Sequence, residues 1–280
     1  MIELEEGILT VSSYRDLSQM WLRAGDLMTE KANDDLAKAD SQLSTFFSGK
    51  SFGEDILGSL DPKLQFVVSR QAAEDLKPAP AVRLPAFALV ARMCQPEMTQ
   101  PEFRRVFQSF VGFINVVGAM NGQPQLDLDM SNNDGRQLIA ATYVPQPGDL
   151  AAKGARINFN FSPSIAFAGS RFIVASTKQL AQTLMVMEDN SPKSVDSAQP
   201  AKINPNTFAT LEAAWLMQIL EDNRGQLVAQ NMLEKGHSKE AAEQEIQVLL
   251  TLISVVDRMQ LELLTSGDTL QLNTVLQLRD

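Results

Sequence analysis

IELEEGILTVSSYRDLSQMWL (2–22) and IAFAGSRFIVASTKQLAQTLM (165–185) align without a gap. Ile2 meets Ile165, Leu4 meets Phe167, Leu9 meets Phe172, Val11 meets Val174, Ser13 meets Ser176 and Leu17 meets Leu180. A second pair follows in the same order, FQSFVGFINVVGAM (107–120) against IQVLLTLISVVDRM (246–259), and after it Gln125-Leu-Asp-Leu128 matches Gln260-Leu-Glu-Leu263. Self-similarity of this kind is evidence about architecture. It predicts two tandem repeats, 1–148 and 149–280, either as two domains or fused into one.

Each repeat reads as strands followed by amphipathic helix. Alternation around Glu5-Glu6-Gly7 predicts a hairpin over 2–12, with Ser13 capping a helix whose apolar face is Leu17, Met20, Trp21, Ala24, Leu27 and Met28 and whose pattern continues to about Phe47. Ser51-Phe-Gly-Glu54 and Thr99-Gln-Pro-Glu102 have the form of capping boxes. Strands are expected over Leu64–Ser69 and Ala86–Met93, and a hairpin over 125–144 turning at Asn132-Asn-Asp-Gly135. Residues 145–156 form a joint. Beyond it come a strand at Arg156–Phe161, a hairpin over 164–175, a helix from Ser176, a polar Pro/Ser stretch (188–206), a strand near Phe208, helices across 212–233 and 238–258, and a final hairpin turning at Ser266-Gly-Asp268. Strands joined by tight turns outnumber crossover helices. The fold class is therefore α+β, an antiparallel sheet with helices packed mainly on one face. The strand at 156–161 has no counterpart before Met1, which predicts a fragment or mature form of a longer protein with an open edge at its first strand.

Composition excludes several functions. A net charge of −10, dispersed along 280 residues, is unsuited to nucleic acid, whose phosphates need a basic face. Arg104-Arg105 decorates a helix. The longest apolar runs, near 110–120 and 248–256, fall well short of the roughly 20 residues that span a bilayer and read as buried helix. MIELEEG lacks the basic start and apolar middle of a signal peptide.

No catalytic, cofactor-binding or metal-binding residue is nominated, and no cofactor is expected. Ser48-Gly-Lys-Ser51 has Ser44 where a phosphate-binding loop needs glycine. Asp127, Asp129 and Asp134-Gly135 fail a calcium loop at its sixth and twelfth positions, Asn132 and Leu138. His237 is the only histidine and Cys94 the only cysteine, the latter read as a small buried residue. No S-x-x-K signature is present. Glu5-Glu6 and Asp34-Asp35 are neighbours in sequence, which does not make a catalytic pair.

FSPSIAFAGSRFIVASTKQLAQTL (161–184) and the terminal helix with its hairpin (246–278) resemble a family of uncharacterised, exported bacterial proteins with a domain of unknown function. The resemblance implies an exported location and supplies no catalytic residues. The leading expectation is a non-enzymatic binding or structural module, acting in the cell envelope on a protein or envelope component. The alternatives are a carrier of an apolar ligand between sheet and helices, and a hydrolase with a carboxylate-only site between the repeats.

Overall fold

The computed structural model describes residues 2–72, 76–151, 154–187 and 206–279. Ten strands form one antiparallel sheet: β1 (Gly7–Tyr14), β2 (Lys63–Ser69), β3 (Ala86–Arg92), β4 (Leu126–Asn133), β5 (Arg136–Tyr143), β6 (Ser164–Ala168), β7 (Arg171–Ala175), β8 (Thr207–Glu212), β9 (Val256–Ser266) and β10 (Thr269–Leu278). Their order is β10-β9-β8-β1-β2-β3-β7-β6-β5-β4. The helices are α1 (Leu17–Leu22), α2 (Ala24–Leu27), α3 (Glu30–Phe46), α4 (Pro96–Met120), α5 (Pro147–Ala151), α6 (Lys178–Val186), α7 (Ala213–Asp222), α8 (Arg224–Lys235) and α9 (Lys239–Ser254). The fold is thus α+β and its sheet antiparallel.

The sheet is continuous across the expected joint, because β1 pairs with β8 and β3 with β7. Its strand order is not that of a simple tandem copy. After α4 the chain enters its hairpin at β4, the outer edge, whereas after α9 it enters at β9, one strand inside the other edge.

Local chemistry explains the elements. Asp134 and Gly135 take positive φ between β4 and β5, the conformation a tight hairpin turn requires. The first helical stretch is broken into α1, α2 and α3 at Arg23 and Met28, and Asp16, not Ser13, caps α1 by accepting from Gln19 N. Ser13 lies inside β1, with its hydroxyl 2.9 Å from that of Thr207 on β8. Residues 2–6 do not pair with β1, as a 2–12 hairpin requires. Both edges of β1 are already taken by β2 and β8, so the segment turns away at Glu5-Glu6, and Ile2 N donates to Gln65 Oε1.

Ser51 caps a short wide-wound turn over Phe52–Ile56, but its own N–H is satisfied by Asp55 rather than Glu54. Helix α4 begins a turn before its expected box. Pro96 takes the first position, where a missing N–H costs nothing, and the Thr99 hydroxyl donates back to Gln95 O. Thr177 caps α6 and Ser238 caps α9. Ile157–Asn160 is a single tight turn, not a strand, so the argument for a vacant strand position beside the first strand loses its premise. The polar stretch after α6 lies, up to residue 205, outside the described residues.

Over β5, β6 and β7 both sheet faces are apolar, and helices cover both, more than a one-faced arrangement provides. Helix α6 lays Leu180, Ala181, Leu184 and Met185 on Leu138, Ala166, Ile173 and Ala175. On the opposite face α4 lays Phe103, Phe107 and Val111 on Ile139, Ala141, Ile165 and Phe167, and Phe47 and Ile56 close the flank. Helices α7, α8 and α9 form a small core of their own around Val228, Ala242, Ile246 and Leu250.

Two buried amides tie the loop before β3 into place. Asn160 accepts from Leu84 N and donates to Val82 O, both at 2.8 Å, and Asn223 accepts from Arg83 N and donates to Arg83 O. Each side chain serves a loop backbone that pairs with no strand there. Replacing Phe167, which is fully buried on β6 beneath α4, with Ala should lower stability by about 3–5 kcal/mol in denaturant unfolding. A loss under about 1 kcal/mol would mean that α4 does not pack on this strand as described.

Candidate functional site

Strand alternation sorts side chains onto the two faces, and directly paired residues share a face. On the face that α4 covers further along, one row runs Leu276, Met259, Leu211, Leu9, Val68, Phe87 across β10, β9, β8, β1, β2 and β3. The next runs Thr274, Leu261, Ala209, Val11, Phe66, Leu89, Val174, ending on β7. A third runs Leu272, Leu263, Thr207, Ser13, Leu64. The charged residues of these strands, Lys63, Arg92, Arg171, Glu212, Arg258 and Glu262, all alternate to the opposite face; only Asp257, at the start of β9, does not.

This apolar face is open. Phe87 is 46% exposed, Leu89 39% and Leu272 60%, while Phe66, Val174, Leu270 and Leu276 are exposed as well. Together these side chains leave a broad, mostly apolar surface in contact with water, continuous across the strands from β10 to β7, of the kind that marks an interaction site. The covering layer stops at β7, where Phe172 still packs on Phe103 with ring centroids 4.5 Å apart.

The two long apolar runs are also more exposed than buried helix requires. In α4 only Phe103, Phe107 and Val111 of the apolar side chains are buried against the core, whereas Phe113 is 54% exposed. In α9, Val248, Leu249 and Leu252 are exposed in the same way. Both runs are apolar around much of the helix, and packing on a single side reaches one stripe only.

The opposite face carries the polar clefts. One, of about 370 Å³, lies over β1, β8 and β9 and is lined by Glu3, Glu5, Thr10, Glu212, Trp215 and Arg258 among others. Arg258 Nε lies 2.6 Å from Glu212 Oε1 but off the N–H direction, a charge contact without a hydrogen bond. A second cleft, of about 430 Å³, lies at the start of α6 and is lined by Tyr143, Phe159, Gln179 and Lys178, the last held by Asp129 at 2.6 Å.

The residues weighed in the sequence scatter across the molecule. Ser48 and Gly49 turn the chain after α3, and Lys50 pairs with Glu102. Asp127, Asp129 and Asp134 belong to the β4–β5 hairpin. His237 sits before α9 with Nδ1 3.2 Å from Glu245 Oε1. Cys94 is exposed rather than buried, because the chain leaves the sheet at Arg92 and its backbone turns to Ser59. Among the described residues no group of three His, Cys, Asp or Glu is placed to hold a metal ion, and no helix is long and apolar enough to cross a membrane. Asn160, Asn223 and the ion pair Arg70–Asp222 (3.0 Å) were not legible, since each joins segments far apart in sequence.

No family model matches the chain, and no curated protein and no solved structure matches it either. The resemblance in 161–184 and 246–278 therefore lends no residue roles to the site.

Of the three surface carboxylates that titrate low among the described residues, Asp129, Glu240 and Glu245, two are paired with a lysine that accounts for the shift. The Lys178 ammonium holds the Asp129 carboxyl below its ordinary 3.8 by hydrogen bond and charge. Lys235, then Asn231, holds Glu245 below 4.5 by hydrogen bonding, with the charges of Lys235 and His237 adding to this. A carboxyl whose pKa is lowered on folding adds stability above its unfolded value and loses it as pH falls through the folded one. Thermal unfolding should therefore drop as acid is added below about pH 4.5, and Glu245→Gln should shallow that drop while salt shrinks the difference. Parallel wild-type and Glu245→Gln curves would show that the Lys235–Glu245 contact is absent in solution.

Proposed function

We propose that this chain is a non-enzymatic association module and that a second copy of the chain covers its open apolar face, sheet against sheet. The observation that carries the reading is the sorting of side chains on β8, β1, β2 and β3: apolar on the open face, charged on the other. A strand pattern of that kind belongs to a sheet packed on one face and solvated on the other.

The size of the face supports a macromolecular partner. Its rows run across seven strands, from β10 to β7, a width that a small ligand does not span. A second copy fits without electrostatic conflict. The chain carries a net charge of −10, but the open rows carry no charge and Asp257, at the start of β9, is paired with Arg279, so two copies related by a two-fold axis meet little like charge there. Two such sheets would pack about 10 Å apart at the small angle of aligned sandwiches.

A small apolar ligand would leave most of a face this wide in water, so a carrier is the weaker reading. A carboxylate hydrolase would have to use Glu3, Glu5 and Glu212 in the cleft beside Trp215, where Arg258 already neutralises Glu212. Nothing in this mode of action depends on where the chain works, so the cell-envelope location implied by the resemblance is no part of the proposal.

The test is the molar mass in solution over a dilution series, by light scattering. Wild-type chain should pass from monomer to assembly as concentration rises. Phe66→Glu and Leu89→Glu, which place a charge at the centre of the face, should each weaken association by at least about tenfold, on the order of 1.4 kcal/mol. Both side chains are open in the monomer, so both variants should unfold near the wild-type midpoint. A chain that stays monomeric at every concentration, or variants that associate as wild type does, would remove the proposal.

A further inference from the structure

The two edges of the sheet are not alike. Edge strand β4 carries Asp127 and Asp129, and Asp129 is bridged to Lys178 of α6. Charges on an edge strand are a common way to stop it pairing with another chain. Edge strand β10 has no such device. It runs ten residues, TLQLNTVLQL, without a charge, a proline or a glycine, and its register with β9 is regular as far as Gln277. It is exposed over nearly its whole length. A long, uncharged edge is a template for strand addition.

We infer that β10 pairs antiparallel with β10 of a second copy, with Thr274 on the two-fold axis. Chain symmetry fixes most of this geometry. In an antiparallel pair, directly opposed residues share a face, so a residue pairs only with one an even number of positions away in the other copy. Centring on Thr274 or on Asn273 gives the longest overlap with sides matched, nine residues in either case, and Thr274 is favoured because Asn273 would set Leu272 against Thr274. Leu272 then meets Leu276, Leu270 meets Leu278, Gln271 meets Gln277 and Asn273 meets Val275. Apolar pairs fall on the open face and mostly polar ones on the other. Cross-strand pairs of this kind, rather than charge, supply the stabilisation.

The two-fold axis stands perpendicular to the sheet, so the apolar faces of the two copies lie on the same side and merge. The edge contact is separate from the face contact proposed above and does not depend on it. If both form, two isologous interfaces build an assembly larger than a dimer.

The experiment places a single cysteine at the axis, Thr274→Cys in a Cys94→Ser background, and exposes the chain to oxidised glutathione. The same change is made in a Phe66→Glu background, where association through the face is weakened. Cross-linked dimer should form in both. Asn132→Cys, on the protected edge β4, should not cross-link at a comparable rate. Asn273→Lys with Val275→Lys, which leaves the open face untouched, should slow the Thr274→Cys cross-link at least about tenfold. Cross-linking at Thr274→Cys that disappears with Phe66→Glu would overturn the edge contact and leave the face contact standing. Cross-linking no faster than at Asn132→Cys would overturn it outright.

Discussion

Strand β1 hydrogen-bonds to β2 on one side and to β8 on the other, and the surface of the molecule follows from that double pairing. It joins the early and late parts of the chain into one sheet. It also fixes register, and register with a period of two decides which side chains share a face. Leu9 is brought level with Leu211 and Val68, and Val11 with Ala209 and Phe66. Shifting β1 by one residue against either neighbour would break both apolar rows and move Thr10, now buried with Val67, into the open face.

Hairpins and caps were the most legible parts of the sequence, because their chemistry is local. Asn132-Asn-Asp-Gly135 and Ser266-Gly-Asp268 turn the chain where their residue types require, and the strands flanking them alternate cleanly. What failed was whatever a distant partner decides. Residues 2–12 read as a hairpin because nothing nearby shows that β1 is already paired on both edges, one of them with a strand 194 residues away at Ser13 and Thr207. Arg156–Phe161 has a strand pattern, but Asn160 turns inward to serve the loop at Val82–Leu84. The internal similarity does not carry through to the structure: Val256 and Met259, aligned with Val117 and Met120 of α4, lie in β9, residues 2–4 pair with no strand where 165–167 lie in β6, and β4 and β9 enter the sheet at different positions.

The candidate surface was legible residue by residue and not as a surface. Each apolar position on β8, β9 and β10 could be read from alternation. That these positions continue Leu9, Phe66 and Leu89 in unbroken rows needed the strand order. Layered folds bury an apolar sheet face against a second layer. Here α4 provides that layer for β5, β6 and β7 and ends there, while the same face continues to β10 without it. Polar clefts lie on the other face, where Arg258 is engaged with Glu212 and Lys178 with Asp129.

Whether the apolar rows are exposed in the lone chain and covered in its assembly is the central matter. Hydroxyl-radical footprinting read by mass spectrometry at Phe66, Phe87 and Met259 measures it residue by residue. On this account the three side chains are oxidised readily in dilute chain and become protected as concentration rises, while Trp215, in the cleft on the opposite face, changes little. Equal oxidation of Phe66, Phe87 and Met259 at every concentration would contradict it.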